Sequence, residues 1–146
     1  MTQSLYDHDI LLWVEDTVSK LKTRDFDSLD LENLIEEVES LGRSEKRELL
    51  SRLTILIEHL IKRLYVSMPE NYRGWETTIR NQRTELGFLL KDAPSLKAFW
   101  GESFALALAT ALKNLCKEYP QVNFPQDWIY TNDLDLILTI DFWEVK

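Results

Sequence analysis

The sequence predicts an all-α fold, a single-domain bundle of five to six helices with a central helix rich in Ala and Leu. Apolar residues recur every three or four positions along most of the chain, which is the period of an amphipathic helix. The 146 residues include only four Gly and four Pro, too few for the many turns of an all-β fold. The composition, 45% hydrophobic and 29% charged, is that of a globular domain with one core.

The first predicted helix runs from about Asp9 to Lys22, with Asp7 or Asp9 as its N-cap. Its apolar residues recur at helical spacing, so we expect them to form one stripe that faces the core. That stripe consists of Ile10, Trp13, Val14, Thr17, Val18 and Leu21.

The second predicted helix follows Asp30 as its N-cap and runs to Leu41. Gly42 is a natural residue to follow its end, because glycine adopts the left-handed conformation of a C′ position at little cost. Its stripe consists of Leu31, Leu34, Ile35, Val38 and Leu41.

An acidic segment overlaps this second helix. Residues 25–39 hold seven acids and no base. This pattern indicates either a solvated helix face with N-cap acids or an interaction face for a basic partner. The residues that we predict for such a face are Asp30, Glu32 and Glu36.

The third and fourth helices are predicted on either side of Pro69, which ends any continuation of the third. The third begins after Ser44 and runs to about Val66. It carries apolar residues beyond a single stripe, so we expect it to touch neighbours on two sides. The fourth spans about residues 71–90.

The fifth helix is predicted to follow Ser95 as its cap and to run to about Tyr119. It is apolar nearly all round, and its alanines allow neighbours to approach closely, so we expect it to be the central helix. A short sixth helix is predicted after Thr131, with a strand over residues 136–142 as the alternative. The aromatic residues that we expect to fold back as a lid on the core are Trp128, Phe142 and Trp143.

Charge and composition limit the possible partners and compartments. The net charge of -8 disfavours binding to nucleic acid, because an acidic surface repels phosphates. The sequence shows no secretory signal at its start and no apolar run of the 20 or so residues that cross a bilayer, so we expect no membrane association. A single cysteine, Cys116, permits no disulfide within the chain and fits the reducing cytoplasm. Its place in an apolar helix predicts a buried, inert thiol.

Several polar residues fall on or beside predicted apolar stripes. Gln82 lies close to the centre of the stripe of the fourth helix, and Arg83 lies one step away. Arg52, His59 and Arg63 share one column of the third helix, well off its main stripe, and this column could meet acids of the second. Each position is interpreted either as a structural hydrogen bond or ion pair or as part of a ligand site. The candidate polar cluster consists of Glu37, Glu39, Arg52, His59, Gln82 and Arg83.

Motifs for common chemistry are absent from the sequence. It contains no Glu-x-x-His pair, no G-x-S-x-G and no glycine-rich phosphate loop. We therefore predict no cofactor and no metal, although a single-metal site with His59 and Glu37 or Glu39 stays an alternative. The sequence identifies no catalytic residue.

Three runs carry a family resemblance: LDLENLIEEVESLGRSEKREL (29–49), LIEHLIK (56–62) and GWETTIRNQRTEL (74–86). With LYDHD and DAPSL, they resemble domain-of-unknown-function family 29, small all-helical bacterial proteins that are numerous in cyanobacteria. The resemblance weakens after Pro125, since members tend to have a proline near Asp141. It implies a helical bundle and no particular activity. Recurrent family positions, as they stand here, are Glu36, Glu37, Glu39, Gly42, Arg43, His59, Trp75, Gln82 and Arg83, which suggests one polar cluster between the second, third and fourth helices.

Three functions remain open from the sequence. The leading hypothesis is a cytoplasmic, non-enzymatic protein-binding or regulatory module, which in one version neutralises a basic partner through its acidic second helix. The alternatives are an enzyme or metal-binding protein built on the polar cluster, and a structural homo-oligomer. The expected partner is accordingly another protein or a second copy of the chain.

Overall fold

The periodic apolar residues form six α-helices in the computed structural model, which describes residues 4–128 and 130–144. The described residues contain no strand, so the all-α prediction is confirmed and the alternative strand over residues 136–142 is wrong. The helices are α1 (Leu5–His8), α2 (Ile10–Lys22), α3 (Leu31–Tyr65), α4 (Pro69–Asp92), α5 (Trp100–Glu118) and α6 (Leu134–Ile137).

Helix α3 is one helix of 35 residues where the sequence predicted two. The predicted end at Gly42 is wrong, because Gly42 lies inside α3 and no glycine of the described chain has a positive φ. A glycine inside a helix costs only about 1 kcal/mol relative to alanine. The Glu, Leu, Arg and Lys residues on both sides are strong helix formers and offset this cost.

The other helix ends depend on local capping. The Asp9 carboxylate accepts a hydrogen bond from Leu12 N at the start of α2, as predicted. The predicted break before Pro69 is confirmed, because α3 ends at Tyr65. Pro69 itself begins α4, two residues before the predicted start near Asn71, since the first turn of a helix needs no N–H from it. Residues 94–99 form a 3₁₀ helix, so α5 starts at Trp100 and not after Ser95.

The chain divides into two units, Met1–Ser44 and Glu45–Lys146. In the first unit, Trp13 and Thr17 are the only buried side chains among the described residues. The ring of Tyr6 meets Trp13 edge-on at 5.0 Å, and its hydroxyl donates to Glu37 Oε1 at 2.5 Å. The predicted single domain stays a prediction.

The second unit holds the main hydrophobic core. The second half of α3 supplies six of its most completely buried side chains, namely Leu49, Leu53, Leu56, Ile57, Leu60 and Ile61. Helix α5 contributes one face, with Ala107 and Ala111 fully buried, whereas Leu106 on its other face is 53% exposed. The predicted aromatic lid is confirmed, because Phe142 is buried in this core and Trp128 and Trp143 pack against it.

Membrane insertion has no candidate helix in the described part of the chain. None of its helices combines sufficient length with sufficient apolar character to cross a bilayer.

Candidate functional site

Two of the predicted polar residues, Arg52 and Gln82, meet between α3 and α4. Arg52 Nη1 donates to Gln82 Oε1 at 3.4 Å, and Arg52 Nε donates to Glu48 at 2.9 Å. Its Nη2 lies 3.7 Å from a Glu85 oxygen. These pairs are partly open to solvent, so each contributes at most about 1 kcal/mol to stability. These contacts link α3 to α4. They involve all three nitrogens of the Arg52 guanidinium, so few of its N–H groups remain for a ligand.

His59 lies elsewhere on α3 and bonds to its own helix. Its Nδ1 is 2.8 Å from the carbonyl oxygen of Ile55, one turn earlier. Burial lowers the pKa of His59 below its usual value, and the bond to Ile55 offsets part of this shift. The neutral imidazole is therefore the favoured form, with Nδ1–H as the donor. No three His, Cys, Asp or Glu side chains within residues 4–128 and 130–144 are grouped so as to hold a metal ion.

Arg83 attaches the C-terminal segment to α4. Its Nε donates to the carbonyl of Ile137 at 3.0 Å, its Nη2 donates to the carbonyl of Ile140, and its Nη1 bonds to Asp141 Oδ1 at 2.9 Å. Burial lowers the pKa of Arg83, and the Asp141 carboxylate counteracts this, so the guanidinium stays charged. The side chain is only 12% exposed. Three of its five N–H groups are thus used within the protein.

A cavity of about 450 Å³ opens beside Arg83, and we call it the arginine groove. This volume is within the range of small-molecule sites. Its charged lining consists of Arg80 and Arg83 with Glu76 and Asp141, and its apolar lining includes Ile79, Leu138 and Trp143.

Arg63 adjoins the arginine groove through two of the lining residues. Its guanidinium lies 3.9 Å from the ring of Tyr72 and 5.2 Å from the ring of Trp143. Its Nε is 3.8 Å from a Glu76 oxygen, beyond hydrogen-bonding distance, and this buried nitrogen has no hydrogen-bond partner in the described chain. Arg63 therefore balances the charge of Glu76 and holds the edge of the groove by stacking.

The predicted acidic residues lie in the first unit and make local contacts. Asp30 accepts hydrogen bonds from the backbone and side chain of Asn33, as an N-cap residue does, and these bonds lower the pKa of Asp30. The bond from Tyr6 to Glu37 raises the pKa of Tyr6 to about 12. Glu36 and Glu39 lie 2.8 Å and 3.7 Å from Arg43, all three exposed. Glu32 is exposed near the start of α3.

The first unit also exposes most of its apolar stripes. Twelve of the fifteen exposed large apolar side chains in the described chain belong to it. The expectation that these stripes face a core is therefore wrong for most of their members. We call the following set the N-terminal apolar surface: Ile10, Val14, Val18 and Leu21 of α2, and Leu31, Ile35, Val38 and Leu41 of α3. Their exposures range from 41% to 69%, and their spacing of three or four places each group on one helix face.

This apolar surface lies in the most acidic part of the chain. The first 44 residues contain eleven acidic and four basic residues, so they carry -7 of the net charge of -8. Two exposed apolar helix faces in one unit make this unit a candidate interaction surface, because large exposed apolar area marks such surfaces in soluble proteins.

Sequence reasoning did not identify Arg80 or Trp143 as groove residues. An arginine on the outside of a helix has no periodic signal, and the C-terminal segment that brings Trp143 to the groove follows an irregular stretch. One sequence feature did point to the groove. Arg83 lies beside the apolar stripe of α4, and a cation so placed needs an acceptor on a neighbouring segment.

Comparison with protein families identifies a match for this chain. A family model described as "Domain of unknown function DUF29" matches residues 5–143, nearly the whole chain. No curated protein and no solved structure shows significant similarity to it.

Proposed function

Because the chain belongs to the DUF29 family, whose description carries no activity, we propose a function from its own surface: its first unit docks a basic, amphipathic segment of another protein. The observation that carries this proposal is the coincidence of apolar exposure and charge. Among the described residues, the first unit holds twelve of the fifteen exposed large apolar side chains, and residues 1–44 carry -7 of the net charge. An apolar surface within an acidic surround is complementary to a helix with a leucine-rich face and lysine-rich edges.

Charge argues for this partner over the other candidates. A second copy would bring another -7 to the same surface and be repelled, at least at low salt. Nucleic acid and anionic bilayers would be repelled in the same way. A cationic, amphipathic partner would be attracted electrostatically at long range and would bury apolar surface on contact. The N-terminal apolar surface supplies the buried area, and Glu32 and Glu36 of α3 lie beside it.

The test uses the full chain and a fluorescein-labelled 18-residue peptide of Leu and Lys at helical spacing. Fluorescence anisotropy measures the dissociation constant in 50 mM and 300 mM NaCl. We expect binding that weakens as salt rises, because exposed charges are screened. The double variant Ile35→Gln, Val38→Gln is expected to bind at least about tenfold more weakly, since two apolar contacts are lost.

The matched control replaces exposed apolar residues of the second unit. Phe88 and Leu106 are 59% and 53% exposed, close to the 55% and 59% of Ile35 and Val38. The variant Phe88→Gln, Leu106→Gln is expected to bind like the unmodified chain, and circular dichroism checks that both variants keep their helices. Equal weakening in the two variants contradicts the proposal. So does equal binding of a peptide with Gln in place of Lys.

Self-association is distinguished in a separate measurement. Sedimentation velocity in 50 mM NaCl is expected to give a monomer. If the unmodified chain is a dimer and the Ile35→Gln, Val38→Gln variant is a monomer, the N-terminal apolar surface binds a second copy of the chain and not a basic partner.

A further inference from the structure

We propose that the arginine groove of the second unit binds a small organic anion, with the anionic group at Arg80 and an apolar or aromatic body against Trp143. This site is independent of the N-terminal apolar surface and lies on α4 and the C-terminal segment.

With Arg63 at its edge, the groove holds three arginines and two carboxylates, so one positive charge is in excess. Asp141 bonds to Arg83 at 2.9 Å, and Glu76 lies 3.8 Å from Arg63. Each of these acids is thus matched by an arginine. Arg80, which lines the same cavity, makes no ion pair with any side chain of the described residues and is exposed. In a chain of net charge -8, an unbalanced arginine at a concave surface favours an anionic ligand over a cationic one.

The donors are sufficient for an oxyanion. Arg83 uses three of its five N–H groups on Ile137, Ile140 and Asp141, and two remain. Arg80 lies three residues earlier on the same helix, and both side chains line the groove. A planar guanidinium bonds a carboxylate or a phosphate through two parallel N–H groups. Arg83 is already fixed by its bonds to the C-terminal segment, so its remaining donors lose little conformational freedom on binding.

The apolar wall argues for a ligand larger than an inorganic ion. Ile79, Leu138 and the indole of Trp143 line the cavity, whose volume is about 450 Å³. Binding sites of this size hold small organic molecules. An aromatic carboxylate meets both parts of the groove, because its ring contacts the indole while its oxygens reach Arg80.

The experiment titrates three probes into the full, ¹⁵N-labelled chain. They are 2-naphthoate, its neutral amide 2-naphthamide, and inorganic phosphate. The readouts are the indole N–H resonance of Trp143 and the Nε–H resonance of Arg80 in two-dimensional spectra. We expect 2-naphthoate to shift both resonances saturably. Each of the other probes is expected to bind at least about tenfold more weakly, because 2-naphthamide lacks the negative charge and phosphate lacks the aromatic ring.

Two arginine variants distinguish binding in the arginine groove from nonspecific attraction to an exposed positive charge. Arg73 and Arg80 are both exposed arginines of α4 with no ion pair in the described chain, but only Arg80 lines the cavity. Arg80→Gln is expected to weaken 2-naphthoate at least about tenfold, and Arg73→Gln to leave its affinity unchanged. Equal effects of the two substitutions overturn the proposal. So does binding of phosphate or the amide as tight as that of naphthoate, or the absence of any shift at Trp143.

Discussion

At the scale of single residues, Arg83 makes three side-chain hydrogen bonds to the C-terminal segment. Its guanidinium donates hydrogen bonds to two backbone carbonyls and one carboxylate, which lie 54 to 58 positions later in the chain. Hydrogen bonds from a charged donor contribute about 1.5–3 kcal/mol each, more than neutral ones. The packing of residues 137–141 on α4 therefore depends on this side chain.

Replacement of Arg83 by Met keeps the aliphatic length and removes all three bonds. We expect the free energy of unfolding to fall by about 2–4 kcal/mol, because the carbonyls of Ile137 and Ile140 lose a charged donor. Urea unfolding followed by circular dichroism measures the change. Arg73→Met is the control and is expected to stay within about 0.5 kcal/mol of the unmodified chain. A similarly small effect of Arg83→Met contradicts this role.

His59 makes stability depend on pH. Its pKa is lowered in the folded chain by burial, whereas the unfolded chain titrates near the usual 6.5. Between these two pKa values the unfolded state binds more protons, so stability is full above about pH 6.5 and falls as pH decreases through the folded pKa.

The measurement compares urea unfolding at pH 8 and pH 5 for the unmodified chain and His59→Gln. We expect the loss of stability toward pH 5 to be smaller in the variant, which has no imidazole to protonate. His8→Gln serves as the control for an exposed histidine. If the variants His59→Gln and His8→Gln show the same pH dependence, the burial of His59 has no energetic consequence.

At the scale of the elements, the sequence predicted most helices because their apolar spacing is regular over ten or more residues. The end at Gly42 was predicted wrongly, since a local glycine signal competes with the propensity of all its neighbours. The burial of α5 was overestimated for another reason: periodicity does not show which face of an apolar helix is covered. Cys116 illustrates this, because it was expected to be buried and is exposed.

Gly42→Ala distinguishes a helix interior from a helix end. A Cβ at Gly42 meets no atom within 4 Å, and the backbone there is helical. We expect alanine to stabilise the chain by about 0.5–1 kcal/mol, as it does inside helices. At a left-handed C′ position the same change would destabilise it. Thermal unfolding gives the sign, and Gly87→Ala, inside α4 with the same open surroundings, is the reference.

The groove was less predictable than the helices. Arg83 was identified because it lies beside an apolar stripe, yet its partners lie on a segment reached through an irregular stretch. Trp143 contacts the groove through a tertiary arrangement that no local pattern encodes. Local periodicity thus identified Arg83 on α4, but it did not show that the C-terminal segment lines the same groove.

At the scale of the whole molecule, buried side chains are distributed unevenly between the two units. Among the described residues, the first unit buries Trp13 and Thr17, and all other buried side chains belong to the second. Local stability follows the density of buried apolar contacts. The two units are therefore expected to differ in resistance to opening, even though α3 contributes to both.

Amide hydrogen exchange can detect this difference within one helix. We expect amides of residues 35–43 to exchange at least about 100-fold faster than those of residues 49–61, after correction for intrinsic rates. Leu49, Leu53, Leu56 and Ile57 are completely buried, whereas Ile35, Val38 and Leu41 are more than half exposed. Uniform protection along α3 would show that burial does not determine its local stability.

The bonds of Arg83 also bear on the order in which the chain folds. They close a loop of more than fifty residues, and closing such a loop costs chain entropy before any contact compensates for it. Helices α3 and α4 follow each other directly and are expected to pair first. Contacts made after the folding barrier affect the rate of unfolding more than the rate of folding. The segment that completes the arginine groove is thus expected to join last and to leave first.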